Sequence, residues 1–319
     1  MSGPDPILLI VWCGAILGPV AAGLIWRRLS PARRRSGAVL ARLALLALAY
    51  VLAVWGFLIE PQTLVVRRVS IESATWRGPP LRIGVLSDTH VGAQVSPERV
   101  SRVVATLSRQ RPDLIVFLGD YVGGHGPEAA RSARVRAAIL RGVAALDGAH
   151  APLGRIAILG NHDWWYDGPA IEAALRRANI PVLENDAIRI ARPGGPFWVA
   201  AVADRATRRA RPSVARALSG VPATEPVIML THWPDPWRTV PPRVALTLAG
   251  HTHCGQVNLP FVGRLVAASP GSRRWPCGLY EEGGRKLFVT GGLGVSILPV
   301  RFRAPPEIVI LTLSGPTGS

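Results

Sequence analysis

The chain has 319 residues, 49% of them hydrophobic, and carries 37 basic against 20 acidic side chains, a formal net charge of +17. That length holds one large or two ordinary domains, and three cysteines exclude a disulfide framework. The basic residues are all arginine except Lys286, and they are dispersed, with no basic helix repeat and no nucleic-acid module. No nucleic-acid partner is therefore expected, and attraction to anionic phospholipid headgroups is the simpler account of the charge.

In chain order, residues 7–26 form a run without a charge, and residues 38–59 form a second in which Arg42 is the single charge. Each is long enough to cross roughly 30 Å of hydrocarbon as a helix. Trp12, Trp26, Tyr50 and Trp55 lie toward the ends of these runs, where interfacial anchors sit, and Arg42 is placed to snorkel. The residues before Ile7 carry no basic side chain, which argues against a cleaved signal peptide. Residues 1–60 are expected to be a two-helix transmembrane hairpin with an arginine-rich connector at 27–37, and 61–80 a linker and leading strand. The connector holds Arg27, Arg28, Arg33, Arg34 and Arg35, so the positive-inside rule places it in the cytoplasm and both chain ends outside. Arg67, Arg68, Arg77 and Arg82 weigh against that orientation. Cys13, inside the first run, reads as a small buried hydrophobe.

From residue 81 onward, apolar runs alternate with helical patterns. Strands are expected at 81–86, 114–118 and 155–159, with helices between them. Val100, Val103, Val104 and Leu107 keep the i, i+3, i+4, i+7 spacing of one helix, and 128–146 reads as another. Further strands at 197–203, 227–230, 244–249, 287–290 and 308–313 have few helices between them. The pattern predicts an α/β core of parallel strands with a second, partly antiparallel sheet packed on it.

Five of the seven histidines fall in short signatures just past the ends of these strands, where open α/β sheets place ligands. The signatures are Asp88-Thr89-His90, Gly119-Asp120, Gly160-Asn161-His162-Asp163, Thr231-His232 and Gly250-His251-Thr252-His253. Neutral imidazoles bind borderline metals, and a carboxylate can bridge two cations. Asp88 and His90, two apart, would share a side in an extended stretch, as would His251 and His253. Asp120 would bridge, and Asn161 offers a neutral amide oxygen. Trp164, Trp165, Tyr166, Trp233 and Trp275 are placed either to clasp a substrate or to pack loops onto the core. Arg273 and Arg274 are candidates for gripping a substrate phosphate. Cys254 and Cys277 allow a bridge outside the cytoplasm, two free thiols, or a ligand role for Cys254.

In the order and content of these signatures the chain resembles the calcineurin-like metallophosphoesterase superfamily over 81–313. The hairpin, Gly255-Gln256 after the last signature, and the ending Gly291-Gly292-Leu293-Gly294 to Pro305-Pro306-Glu307-Ile308 resemble its bacterial membrane-associated branch. The resemblance implies a four-layer α-β-β-α sandwich of two mixed sheets over 81–319. It implies that Asp88, His90 and His253 hold one metal, that Asn161, His232 and His251 hold a second, and that Asp120 bridges them. His162 would be the catalytic non-ligand histidine. Asp163 is placed to orient His162 or a ligand from behind. Cys254 departs from the glycine more usual there, which leaves the ligand set intact.

The implied reaction is hydrolysis of phosphomono- or phosphodiesters by metal-activated hydroxide. Two divalent ions are expected, and the mixed O and N donors suit Mn, Fe or Zn. Anchoring in a bacterial inner membrane favours a lipid-linked phosphoester as substrate. The alternatives are a UDP-2,3-diacylglucosamine pyrophosphatase-like enzyme of lipid A synthesis, a nucleic-acid or nucleotide phosphodiesterase, and a non-catalytic metal-binding membrane protein.

Overall fold

The computed structural model describes residues 6–316 apart from Ala93, Arg208 and Val266. Helices α1 (Pro6–Arg28) and α3 (Gly37–Val54) lie against each other, joined by the short α2 (Pro31–Arg34). Tyr50 donates across the pair to the Ala15 carbonyl at 2.7 Å. Both helices are long and apolar enough to cross a membrane, and neither buries a residue within the protein. Arg34 closes the end of α1 by donating to the carbonyls of Trp26 and Arg27 in its last turn. Cys13 faces outward on α1, because its position does not fall on the seam with α3, so it is not buried in the protein as expected.

α3 runs on through a widened turn at Trp55–Ile59 and a tight one at Glu60–Gln62. This stretch is not a free tether. Glu60 is buried and accepts from Trp55 Nε1 at 2.6 Å and from the Ala304 N–H at 2.7 Å. Arg99 holds the Pro61 carbonyl at 2.5 Å and Gln62 Oε1 at 2.9 Å.

The first sheet contains β1 (Val65–Glu72), β2 (Leu81–Leu86), β3 (Leu114–Phe117), β4 (Arg155–Ala157) and the last strand, β13 (Glu307–Ser314), in the order β1-β13-β2-β3-β4. β2, β3 and β4 are parallel, and β13 runs antiparallel to β2. The run at 308–313 thus completes the first sheet instead of joining the second. The second sheet contains β5 (Asp186–Ile190), β6 (Phe197–Ala201), β7 (Val227–Thr231), β8 (Leu246–Ala249), β11 (Gly278–Glu282) and β12 (Arg285–Val289), ordered β11-β12-β8-β7-β6-β5. Its four inner strands are parallel and both edge strands antiparallel. Between β8 and β11, β9 (Asn258–Leu259) and β10 (Gly263–Arg264) make a separate ribbon.

The two-residue period of a strand sorts the core into layers. Ile83, Val85, Leu114, Val116 and Leu118 pack inward on Val199, Ile228, Leu230, Leu246 and Leu248 of the second sheet. Ile115, Phe117, Ala157 and Ile310 face outward under α4 (Pro97–Arg109), α5 (Ala133–Ala144) and α6 (Asn161–Arg177). α4 starts on Ser96, whose hydroxyl accepts from the Arg99 N–H, with Pro97 in the first turn, and it buries the four positions expected of it. The fourth layer is thin. Short α7 (Val214–Ala217), Trp237 and Trp275, with α8 (Pro270–Arg274) beside them, cover the far face of the second sheet. The result is the expected four-layer sandwich of two mixed sheets preceded by a helical hairpin.

Candidate metal centre

The five signatures converge at the carboxyl ends of the parallel strands. Asp88 and His90 follow β2, Asp120 follows β3, Asn161 and His162 open α6 after β4, His232 follows β7, and His251 and His253 follow β8. All of them are at least nine-tenths buried apart from His251, which is partly exposed. The expected extended backbone is absent. Asp88, His90, Asp120, His251 and His253 have φ of 53°, 46°, 55°, 66° and 49°. A left-handed residue other than glycine costs on the order of 1–3 kcal/mol, which the surroundings must hold in place. Here backbone bonds from Asp88 to Gly119, from His90 to Asp120 and from Gly294 to Asp88 do so. The sharp turns aim alternate side chains into one point.

Close packing allows no side chain at three neighbouring glycines. A Cβ on Gly160 would collide with Asp120 Oδ1 and come within 2.8 Å of His232 Cε1. One on Gly250 would sit 2.7 Å from Asp88 Oδ2, and one on Gly292 would sit 2.6 Å from Asp88 Cβ.

The ligand atoms of Asp88, His90 and His253 lie within 4.8 Å of one another, as do those of Asp120, His232 and His251, and those of His90, Asp120 and His162. Asp120 belongs to the second and third of these groups and His90 to the first and third, and His90 Nε2 lies 3.8 Å from Asp120 Oδ2. His90 donates Nδ1–H to the Val122 carbonyl at 3.0 Å, and His232 donates Nδ1–H to that of Leu118 at 2.7 Å. This sets the ring orientations and leaves each Nε2 facing the site. His90 Nε2 lies 3.1 Å from His253 Nε2, and His232 Nε2 lies 3.3 Å from His251 Nδ1 and 3.1 Å from Asp120 Oδ2. Lone pairs gathered this closely require a proton or a cation among them. The buried Asn161 Oδ1 and His251 Nε2 have no hydrogen-bonding partner among the described residues. The donor set therefore fits divalent cations.

The electrostatics agree. Burial pushes His90 down to about 3 and also lowers His251 and His253, so these rings are neutral and ready to bind metal near pH 7. Burial raises Asp88 to about 6. At His232 burial opposes charge, but Asp120, Asp88 and Asp204 outweigh it and lift the imidazole to about 10. Asp120 is held well below the usual carboxylate range, despite its burial, by His232 and its neighbours.

His162 rests on the rim of this cluster. Its Nδ1 contacts the Gly124 carbonyl at 2.9 Å, and its backbone N–H donates to Asp120 Oδ1 at 2.8 Å. Asp163 does not touch the His162 ring. It accepts from the backbone N–H groups of Asp120, Tyr121, Val122 and Gly160 at 2.8–3.1 Å, which ties the β3 loop to the start of α6.

Arg273 and Arg274 are not among the residues lining the pocket beside His162. Both are exposed on α8, and Arg274 is engaged by Glu282 at 2.9 Å and by the Trp275 ring. Trp275 is core, stacked edge-on against Trp237. Trp233, by contrast, lies 3.3 Å from the His251 ring, with its Nε1 on Asp204 and Arg205 over its other face. Trp165 is exposed beside His162. Cys254 and Cys277 are paired.

Three contributors escaped the sequence reading. His125 packs at a tilt against His162, ring centroids 4.9 Å apart, and only its position between Gly124 and Gly126 marks it. Arg301 is fully buried and donates to the carbonyls of Gly291, Gly292, Gly294 and Ala304, which holds the loop that presses Gly292 onto Asp88. Asp204 orients Trp233. Nothing in sequence separates a buried Arg301 from the many exposed arginines.

A protein-family model described as calcineurin-like phosphoesterase matches residues 81–255. The chain is 32% identical over 236 residues to the metallophosphoesterase YkuE of Bacillus subtilis strain 168, spanning 73% of this chain and 78% of that one. It is 30% identical over 249 residues to phosphodiesterase YaeI of Escherichia coli K12, spanning 73% and 82%. It is 28% identical over 284 residues to a transmembrane protein with metallophosphoesterase domain from Danio rerio, spanning 84% and 61%.

Proposed function

The chain belongs to the calcineurin-like phosphoesterase family of metal-dependent phosphoester hydrolases, and we propose that it is a membrane-anchored dinuclear enzyme that cleaves phosphodiesters. The observation that carries this reading is the run of ligand groups linked through His90 and Asp120, with His162 in the linking group. Asp88, His90 and His253 would hold one cation, Asn161, His232 and His251 the other, and Asp120 both. Such a pair of Mn, Fe or Zn ions supplies Lewis acidity, which acidifies water and neutralises charge on the phosphoryl oxygens.

The chain's own residues then orient and shuttle protons. With Nδ1–H given to the Gly124 carbonyl, His162 presents Nε2 to the site, and a proton carried on that atom would pass to the departing oxygen. Asp163 keeps Asp120 and the start of α6 in register, and Trp233 fixes the plane of the His251 ring. The likeness to the Escherichia coli phosphodiesterase YaeI supports the diester preference, and that to the Danio rerio transmembrane protein supports the anchor.

Positive charge on the 27–37 connector favours an extracytoplasmic catalytic domain beyond residue 60. The reading is tested with purified full-length protein and Mn²⁺ on an aryl phosphodiester, an aryl phosphomonoester and a nucleotide diphospho-sugar. Metal-dependent release from the diester is expected. Turnover of the diphospho-sugar alone would favour the pyrophosphatase reading.

A further inference from the structure

Outside the N-terminal hairpin, eight large hydrophobic residues are exposed among those described, and five of them occupy two short stretches. Phe261, Val262 and Leu265 crown the β9–β10 ribbon, and Ile297 and Leu298 crown the loop after β12. Phe261 and Ile297 also hold the left-handed conformation, with φ of 65° and 64°, unfavourable for a bulky or β-branched residue. Scattered exposed hydrophobes need no explanation, but a contiguous patch marks an interaction site.

The two stretches are one unit. Gln256 donates to the Leu298 carbonyl at 2.8 Å and accepts from the Ser296 N–H at 2.8 Å, and Asn258 and Phe302 are joined backbone to backbone. The same unit is fastened to the end of the hairpin. The Arg301 N–H donates to the Gly56 carbonyl at 2.9 Å, and a Cβ on Gly56 would lie 3.3 Å from Val300. Since Glu60 is locked against Ala304, nothing lets the patch move far from the point where the second apolar helix ends.

The patch is also continuous with the candidate site. One pocket has Asp120, His162, His251 and His253 at one end and Val257, Ile297, Leu298 and Val300 along its wall. Residues 253–275 and 290–306 contain no Asp or Glu, whereas Arg264 and Arg303 are exposed among the apolar side chains. Exposed apolar side chains interleaved with arginine match a surface of anionic lipid.

We propose that the 257–265 ribbon and the 296–300 loop are seated in the bilayer surface. The substrate is then a lipid phosphoester whose acyl part follows the Val257, Leu298 and Val300 wall to the metal centre. This rests on the phosphoesterase reading above and names the substrate class for it.

The test uses the full chain in nanodiscs of phosphatidylcholine and phosphatidylglycerol, with or without spin-labelled lipid. A polarity-sensitive fluorophore is attached to the native Cys13 as the control for insertion. In a Cys13→Ser background it is attached instead at Val262→Cys, Ile297→Cys or Ala191→Cys, the last at the opposite end of the second sheet. Spin-labelled lipid is expected to quench the probes at 13, 262 and 297 and to spare 191. Quenching at 13 but not at 262 and 297 would overturn the proposal.

A Phe261→Ser/Val262→Ser protein should keep its turnover of a soluble aryl phosphodiester. It should lose at least about tenfold in kcat/KM on phosphatidylglycerol, a lipid phosphodiester, held in vesicles. Equal activity of the two proteins on the vesicle substrate would also overturn the proposal. A wild type that quenches as expected yet hydrolyses neither substrate would instead defeat the phosphoesterase reading.

Discussion

Removing and restoring the metal should expose a proton stored on His232. The structure places His232 Nε2 at 3.1 Å from Asp120 Oδ2, both fully buried, and lifts the imidazole to about 10 against the pull of burial. A cation on that nitrogen must displace the proton. At pH 7 the ring lies three units below its midpoint, and at about 1.4 kcal/mol per unit the proton costs metal binding about 4 kcal/mol, near a thousandfold in affinity. The sign follows directly. The group is charged below its raised midpoint, so affinity rises about tenfold per pH unit until that midpoint is approached. His90, His251 and His253 are already neutral and add nothing to this slope, and Asp88 adds to it only below about 6. Calorimetric titration of chelator-stripped protein with Mn²⁺, between about pH 6.5 and 8.5 in buffers of differing ionisation enthalpy, measures both slope and protons. Nitrogen-detected NMR of the metal-free protein should show His232 as an imidazolium throughout that range. A flat affinity profile together with a neutral His232 would refute the reasoning.

Three substitutions probe the rest of the centre. His162→Ala should lower kcat by about 10²–10⁴ while leaving bound metal unchanged by mass spectrometry; loss of an ion would make His162 a ligand instead. Gly160→Ala should drive Asp120 and His232 apart, destabilise the fold by about 1–3 kcal/mol in thermal melts and reduce metal content. Arg274→Ala should change kcat/KM on an aryl phosphodiester less than about twofold, since the side chain is held in an exposed pair with Glu282. A tenfold rise in KM would return Arg274 to the substrate.

Much of the fold was legible because buried parallel strands read as unbroken apolar runs, as at Leu81–Leu86 and Leu114–Phe117. α6 was not foreseen because Asp167, Gly168 and Pro169 break its pattern, and the structure kinks there at Asp167. The edge strands β5 and β11 are half-exposed and alternate, so their apolar signal is weak. Asp88, His90, Asp120, His232, His251 and His253 gather into the ligand groups, and Asn161 opens α6 beside His162 with a buried, unpartnered Oδ1. The reason given for Asp88 with His90, a shared side of an extended stretch, was wrong: left-handed turns bring them together. Such turns leave little trace in composition, since histidine and aspartate enter them without glycine. The exposed pairing of Arg274 was not legible because its spacing says nothing of Glu282, which α8 and β11 bring within reach only on folding.

The central claim is that Asp120 unites two cations for phosphodiester hydrolysis. Its most direct test is metal content and turnover measured on the same preparations of wild-type and Asp120→Asn full-length protein. The account predicts two ions per wild-type chain and chelator-sensitive turnover of an aryl phosphodiester. It predicts that Asp120→Asn loses at least one ion and, with it, turnover. Turnover that survives both chelation and Asp120→Asn would contradict it.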